Sequence, residues 1–244
     1  MICKITKEKI KPFMSFGKMP IANGFLKKNE FKKEFFFNLE VGFSNKLSLF
    51  QINDHPKPEQ MFNKNYPFFT GSSSGMVKHF EEYSNWIKKY YGKNLKQLIE
   101  IGSNDGTFLK NFDKKKIKVI GFEPSSNVAN ISKKKGIKTI NSFFNYNSVK
   151  KFRSLQKKIN VISAANVICH VPDLKNLIKA VDFLLSKNGF FIFEEPYLGS
   201  MYKKVSYDQI YDEHIYIFSV SSVNKIFKNF DFELIDAIPQ STHG

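Results

Sequence analysis

No apolar run in this 244-residue sequence approaches the roughly 18 residues of a membrane-crossing helix, and the N-terminus, Met-Ile-Cys-Lys-Ile-Thr-Lys, has no apolar signal core. Both absences lead us to expect a soluble protein of the cytoplasm that does not meet the membrane. Cysteine is scarce: Cys3 and Cys169 stand far apart, which excludes a disulfide framework. Acidic residues are in deficit, 22 against 38 lysines and arginines, for a net charge of +16. Such a balance invites an acidic partner. The lysines are nevertheless spread along the whole chain, and Lys, Asn, Ile and Phe are abundant together, as AT-rich codon usage would make them. We therefore expect no nucleic-acid partner, whereas a nucleotide-linked sugar remains a compatible one. Two phosphate signatures are also missing. Neither the dinucleotide fingerprint G-x-G-x-x-G nor the phosphate loop G-x-x-x-x-G-K-[ST] occurs.

What the sequence does have is α/β alternation after a less regular start. Residues 1–72 read as a small, irregular module with short strands at Phe35–Leu39 and Leu47–Ile52, and a proline-marked loop at 54–58. From Ser74 to Tyr91, Val77, Phe80, Tyr83, Ile87 and Tyr90 recur at helical spacing, and Gly92 supplies a stop. Strands are then expected over 98–101, 118–123, 138–140, 161–164, 190–194 and 232–235. Helices are expected over 126–135, 174–185 and 219–229, with a turn at 187–189. Strands alternating with helices imply a mostly parallel sheet covered on both faces. The second domain is thus expected to run over residues 73–244.

The first of these strands feeds Gly102-Ser-Asn-Asp-Gly106, with Phe108 just beyond. Glycines allow positive φ and close approach of backbone to a ligand, and the end of such a strand is where open α/β sheets bind nucleotide-like molecules. Without a lysine or a pyrophosphate nest, the turn of Gly102, Ser103, Asn104, Asp105 and Gly106 points to a nucleoside that carries no phosphate. Glu123 ends the second strand seventeen residues after Gly106, and Pro124 stops it. A carboxylate there can accept both hydrogen bonds of a ribose diol. Ser142 and Phe143 follow the third strand, where Phe143 or Phe144 could pack on an adenine face or could simply fill the core. Asn166 and Val167 follow the fourth strand, where a reactive methyl group would sit. S-adenosylmethionine is the cofactor that these positions suggest. His55 and His79 read as structural hydrogen bonders.

Several further motifs carry a family resemblance. Asn166-Val-Ile-Cys-His-Val-Pro-Asp-Leu174, Glu195-Pro-Tyr-Leu198 and Ile210-Tyr-Asp-Glu-His214 accompany the glycine turn and Gly121-Phe-Glu-Pro-Ser125. Together they closely resemble the nucleotide-sugar C-methyltransferases of deoxysugar biosynthesis. Pro20-Ile-Ala-Asn23, Asn65-Tyr-Pro-Phe68 and Ser72-Ser-Ser74 are similar to that family's N-terminal pattern. The resemblance implies a class I, Rossmann-like methyltransferase sheet behind a zinc-type module. It implies transfer of a methyl group from S-adenosylmethionine to the carbon beside the keto group of a nucleotide-linked deoxysugar. That chemistry needs a base for the α-proton, donors for the enolate and a methyl donor in line. By motif position His214 resembles the proposed base, with Glu213 beside it and Tyr211 nearby. His170 and Tyr66 resemble residues around the keto oxygen. Which of His214, Tyr211 and His170 takes the proton stays open at this point.

The sequence departs from the family twice. The module's two Cys-x-x-Cys pairs are reduced to Cys3-Lys-Ile-Thr6 and to Ser44 and Leu47. One thiolate cannot hold structural zinc, so no metal is expected. Packing of Phe13, Phe25, Phe35, Phe37, Leu39 and Phe50 is expected to replace it. The sequence also ends at Gln240-Ser-Thr-His-Gly244, where relatives continue from a His-Gly element into a seventh strand and a C-terminal domain. The expected sheet order 3-2-1-4-5-7-6 therefore lacks strand seven, and strand five is left with an open edge. The expectation is a fragment, or a split protein completed by a separate chain. A cofactor-binding subunit inactive by itself, or a methyltransferase acting on RNA or a small molecule, are the alternative readings.

Overall fold

A computed structural model describes residues 1–242. The His-Gly element at 243–244 lies outside the described residues. In chain order the strands are β1 (Pro12–Pro20), β2 (Phe36–Ser44), β3 (Leu49–Ile52), β4 (Gln97–Ile101), β5 (Lys118–Phe122), β6 (Thr139–Ile140), β7 (Ile159–Ala165), β8 (Leu185–Glu194) and β9 (Tyr216–Ile217). The helices are α1 (Pro58–Met61), α2 (Ser74–Tyr91), α3 (Ser126–Lys134), α4 (Tyr146–Val149), α5 (Leu174–Leu184), α6 (Leu198–Lys204) and α7 (Val220–Lys228). Among the described residues, no helix is long and apolar enough to cross a membrane. The chain forms two compact units. One holds residues 62–167 and 176–193; the other holds 1–61, 168–175 and 194 onward.

The first unit is built on a five-stranded sheet of order β6-β5-β4-β7-β8. Strand β4 pairs in parallel with both β5 and β7, and β5 pairs in parallel with β6. This is the 3-2-1-4-5 half of the expected order. Parallel strands must be joined by crossovers, and α3 returns the chain from β5 to β6. Leu98, Ile99, Ile120, Val161 and Ile162 are buried along the central strands, as a sheet covered on both faces requires. Helix α2 spans the expected residues. The Ser73 hydroxyl accepts from the Met76 amide at its start, and Gly92 ends it at φ +64°. Its buried face is Phe80, Tyr83 and Ile87, which pack with Phe108, Leu109 and Phe112. At about 1.5–3 kcal/mol for each large apolar side chain buried, that face outweighs the helix's intrinsic propensity.

Two expectations fail at the sheet edge. The turn foreseen at 187–189 is absent, because β8 runs unbroken from Leu185. Gly189 serves close approach: a Cβ there would lie 2.9 Å from the Ile159 carbonyl and 2.8 Å from Leu185 Cδ1. The strand foreseen at 232–235 does not form either, and no strand is assigned after β9 among the described residues. In the 3-2-1-4-5-7-6 order its neighbour is strand seven. None of the described residues forms that strand, so 232–235 has no ladder to join.

The other unit contains an antiparallel sheet of order β1-β2-β3-β9. The expected strands at 35–39 and 47–52 correspond to β2 and β3, while β1 carries no strand signal in its sequence. Strand β9 joins from far along the chain, pairing Ile217 with Phe50 and Tyr216 with Gln51. The core also departs from expectation. Phe37, Leu39 and Phe50 are buried, but Phe13, Phe25 and Phe35 are exposed. Val41, Leu49, Ile52, Ile215, Tyr216 and Ile217 fill their place. The alternating burial along β2 explains the choice of Phe37 over Phe36, while Phe35 precedes the strand.

The zinc-type turns persist without zinc ligands. The Thr6 amide donates to Cys3 Sγ at 3.5 Å, and the Leu47 amide donates to Ser44 Oγ at 3.3 Å. Cys3 and Ser44 are both buried. Burial raises the Cys3 thiol, but hydrogen bonds from Thr6 and Ser44 outweigh it and hold the thiol below its ordinary range. One thiol and one hydroxyl do not fit tetrahedral zinc, which takes four strong donors.

Candidate functional site

The candidate residues fall into two groups, one in each unit. The first group surrounds the turn after β4. Gly102 and Gly106 have φ of +66° and +78°, and Asn104 has φ +45°. A Cβ on Gly102 would stand 2.5 Å from Val167 Cγ2, and one on Gly106 would collide with Ile137 and Ser132. Both glycines are therefore required by conformation and by space. Gly102 and Val167, two expected cofactor positions, are thus in direct apposition. Asn166 stands beside Val167 at φ +54°, a left-handed conformation that favours Asn among side-chain residues.

Glu123 is tied to the turn. Its Oε2 accepts from the Asn104 amide at 2.9 Å, and its Oε1 accepts from the Ser125 amide at 2.8 Å. Each carboxylate oxygen retains a further lone pair for a ribose hydroxyl. Burial raises the Glu123 carboxyl, and these amides only partly offset it. Asp105 is bonded to Thr107 Oγ1 at 2.6 Å and to Lys135 Nζ at 3.1 Å. Burial raises its carboxyl too, but Thr107 and Lys135 outweigh that and hold it below the usual range. The Pro124 carbonyl accepts from Asn141 Nδ2 at 2.8 Å. Ser142 donates to the Phe143 carbonyl at 3.1 Å. Phe143 is half-buried, whereas Phe144 is buried and packs edge-on against Phe122. Phe108 is a core residue, stacked on Tyr83 with ring centroids 5.2 Å apart.

Segment 66–71 lies across this turn. Asn104 accepts from the Thr70 amide at 3.0 Å and donates to the Phe68 carbonyl at 3.1 Å. Gly71 donates to Asp105 Oδ2 at 3.1 Å, and Asn127 Nδ2 donates to the Tyr66 carbonyl at 2.8 Å. Tyr66 is therefore held through its carbonyl in the unit that carries the turn. Asn127 was missed in the sequence because an Asn at a helix start reads as ordinary capping chemistry.

The second group is acid–base in character. His214 Nδ1 lies 2.8 Å from the Gln209 carbonyl oxygen, and Nε2 lies 3.2 Å from the Tyr211 hydroxyl. A carbonyl can only accept, so Nδ1 carries a proton; in the neutral ring the lone pair then lies at Nε2, the nitrogen that faces the Tyr211 hydroxyl. The His170 ring stacks on His214 with centroids 5.4 Å apart. Glu213 Oε1 accepts from Asn23 Nδ2 at 2.8 Å, and Asp212 Oδ1 accepts from the Ala22 amide at 3.2 Å. Burial pushes the Glu213 carboxyl up to about 7; the Asn23 bond opposes this and Asp212 adds to it. Burial, then the charge of Glu213, raises the Tyr211 phenol.

Glu195 was quoted in a motif but given no role. Its oxygens accept from the Ile168 and Cys169 amides at 2.6 and 3.2 Å, which fixes the turn that carries His170. Ligand atoms of Cys169, His170 and His214 lie within 4.8 Å of one another. Burial, then the charge of Glu195, raises the Cys169 thiol well above its usual range.

A family model for a methyltransferase domain matches residues 77–237, and one for a putative zinc-binding domain matches residues 3–62. The C-methyltransferase NovU of Streptomyces niveus is 24% identical over 233 residues, covering 95% of this chain and 55% of NovU. This chain thus spans about half the length of that curated relative. A SAM-dependent methyltransferase from Archaeoglobus fulgidus is similar in fold at a TM-score of 0.51, 18% identity, 63% of this chain and 69% of that one. A Leishmania major SAM-dependent methyltransferase reaches 0.52 at 14% identity, over 68% and 67% of the two chains. The positive-φ glycine turn and the buried carboxylate at the tip of β5 fit the nucleoside cofactor that these relatives use. With a methyltransferase-domain model matched over most of its length, the chain belongs to the methyltransferase-domain family.

Proposed function

We propose that this protein transfers a methyl group to the carbon beside the keto group of a nucleotide-linked deoxysugar. The observation that carries the reading is the pair of contacts on His214, whose Nδ1 is held by the Gln209 carbonyl and whose Nε2 faces the Tyr211 hydroxyl. S-adenosylmethionine supplies an electrophilic methyl group when bound, and methyl transfer to carbon needs a carbanion as acceptor. A proton α to a ketone is acidic enough for an imidazole to remove if the enolate oxygen is stabilised.

In this reading His214 Nε2 takes the α-proton, and Nδ1–H keeps its bond to Gln209 as the ring becomes cationic. Tyr211, a phenol held protonated by its surroundings, donates to the oxygen on which charge develops. Glu213 carries a carboxyl poised near neutrality, and its charge can stabilise the imidazolium. His170 and Tyr66 are assigned to the keto oxygen. Gly102, Ser103, Asn104, Asp105, Gly106, Glu123, Pro124, Ser142, Phe143, Asn166 and Val167 are assigned to the cofactor. Phe108 supports the turn from the core. NovU is named a C-methyltransferase, which favours carbon over oxygen or nitrogen as the acceptor.

The test is hydrogen exchange at the sugar. Incubated in deuterium oxide with a thymidine-diphosphate 4-keto-6-deoxysugar, the protein is expected to wash deuterium into the α-position. H214N is expected to abolish this while S-adenosylhomocysteine still binds. Undiminished exchange in H214N would remove His214 from the role of base.

A further inference from the structure

Two side chains given to the chemistry stand beside a third that is not. Cys169 is buried and takes no part in proton transfer or cofactor binding. It shares the short turn Ile168–His170 with His170, and the Glu195 carboxylate holds that turn through the 168 and 169 amides. His214 arrives from far along the chain, with its ring plane 18° from that of His170. One donor atom from each of Cys169, His170 and His214 lies within 4.8 Å of the other two, and all three residues belong to the same compact unit.

A sulfur and two imidazole nitrogens are donors that zinc-class cations prefer, whereas magnesium takes oxygen. Zinc holds nitrogen at roughly 2.0–2.1 Å and sulfur at roughly 2.3 Å, which sets tetrahedral donors roughly 3.3–3.6 Å apart. The trio therefore needs to draw in by about 1.5 Å at most, within reach of side-chain torsions. His214 is prepared on its far side. Its Nδ1–H donates to the Gln209 carbonyl at 2.8 Å, as the second nitrogen of a metal-bound imidazole does, so Nε2 is the nitrogen left to face a cation. Charge is balanced as well. Glu195 and Glu213 both act electrostatically on Cys169, and carboxylates there offset the positive charge left when one thiolate and two neutral rings meet a divalent ion. Cys3, the other cysteine, belongs to no such group of three among the described residues.

We propose that Cys169, His170 and His214 form an exchangeable inhibitory site for a zinc-class divalent cation, one that captures the reaction's own base. Binding replaces the Cys169 S–H bond with a sulfur–zinc bond, and that proton goes to solvent. The His214 Nε2 lone pair is given to the metal, so it no longer accepts a proton from the sugar. Structural zinc sites close on four protein donors; three donors leave a position to water, and the ion stays exchangeable. A chelator therefore frees the base. In its consequence for catalysis the inference rests on His214 as that base, while the site itself rests on the three donors.

The test starts from the whole chain dialysed against a chelator. One equivalent of Co2+ is expected to give thiolate-to-cobalt charge-transfer absorption, which Zn2+ removes and Mg2+ does not. C3S should keep that absorption and C169A should lose it. In calorimetric titration C169A and H214N should each bind Zn2+ at least about 100-fold more weakly, beyond the roughly 10- to 100-fold that changes outside the ligand set cost. One equivalent of Zn2+ should stop deuterium exchange at the sugar's α-position, leave S-adenosylhomocysteine affinity unchanged, and be reversed by chelator. No thiolate absorption in the wild type, absorption that persists in C169A, its loss in a C3S protein that melts as wild type, or exchange that continues with the site filled would each overturn the proposal. A protein that exchanges no α-proton even without metal would instead strike the assignment of His214 as base, with the cobalt absorption still reporting on the site.

Discussion

The Tyr211 hydroxyl stands 3.2 Å from His214 Nε2, while the opposite nitrogen of the same ring is held by the Gln209 carbonyl at 2.8 Å. The imidazole therefore has one proton-bearing side and one basic side, and the basic side already touches a phenol. A general base contributes typically 100- to 10,000-fold. H214N should lower methyl transfer within that range and leave S-adenosylhomocysteine affinity within about twofold. Y211F keeps the base and loses one donor, so its loss should be smaller. Rapid-quench methyl transfer and calorimetry on the two variants check both statements.

Glu213 links the acid–base group to stability. Its carboxyl is raised from 4.5 to about 7. A raised carboxyl means that the folded state holds the proton more tightly than the unfolded state. The stabilisation is thus fully present below about pH 4.5 and is lost as pH rises through about 7. The shift corresponds to a few kcal/mol at most. E213Q should therefore melt close to wild type at pH 5 and above it at pH 8. Calorimetric melts across that range test this, and a wild-type advantage at pH 8 would contradict it.

Gly102 is constrained twice, by φ +66° and by Val167. G102A should cost roughly 1–3 kcal/mol in strain alone and weaken cofactor binding further by displacing Val167. The double variant G102A/V167A removes the collision but not the φ penalty. It should recover part of the lost cofactor affinity and not all of it.

The zinc-type module should be insensitive to metal. Its turn positions hold Cys3 and Ser44, whose side chains accept amide hydrogen bonds. Exhaustive chelation should leave the melting temperature unchanged, and elemental analysis should find no stoichiometric zinc. Zinc at one equivalent, lost together with stability on chelation, would contradict the assignment.

The cofactor half of the molecule is legible in the sequence because its signals are local. The 74–91 helix declares itself by spacing and by Ser73 and Gly92 at its ends, and the glycine turn is read from two residues whose backbone angles no other side chain would tolerate comfortably. What the sequence hides is set by partners distant along the chain. Tyr216 and Ile217 become a strand only because β3 offers an edge, whereas Phe232–Ile235 looks more like a strand and lacks a neighbour. Phe13 and Phe25 look like core and are exposed, because β1 has no fully buried position and Phe25 lies outside any strand. Glu195 and Asn23 could not be assigned from sequence, because their work is to bind the 168–169 amides and Glu213 across long separations.

Carbon methylation is tested most directly by following the label itself. A thymidine-diphosphate 4-keto-6-deoxysugar is incubated with the protein and S-adenosylmethionine carrying a carbon-13 methyl group, and the product is examined by carbon NMR. The account predicts the labelled methyl bonded to the ring carbon beside the ketone, with H214N giving none. Label on oxygen or nitrogen, or on RNA while the sugar stays unlabelled, would contradict it.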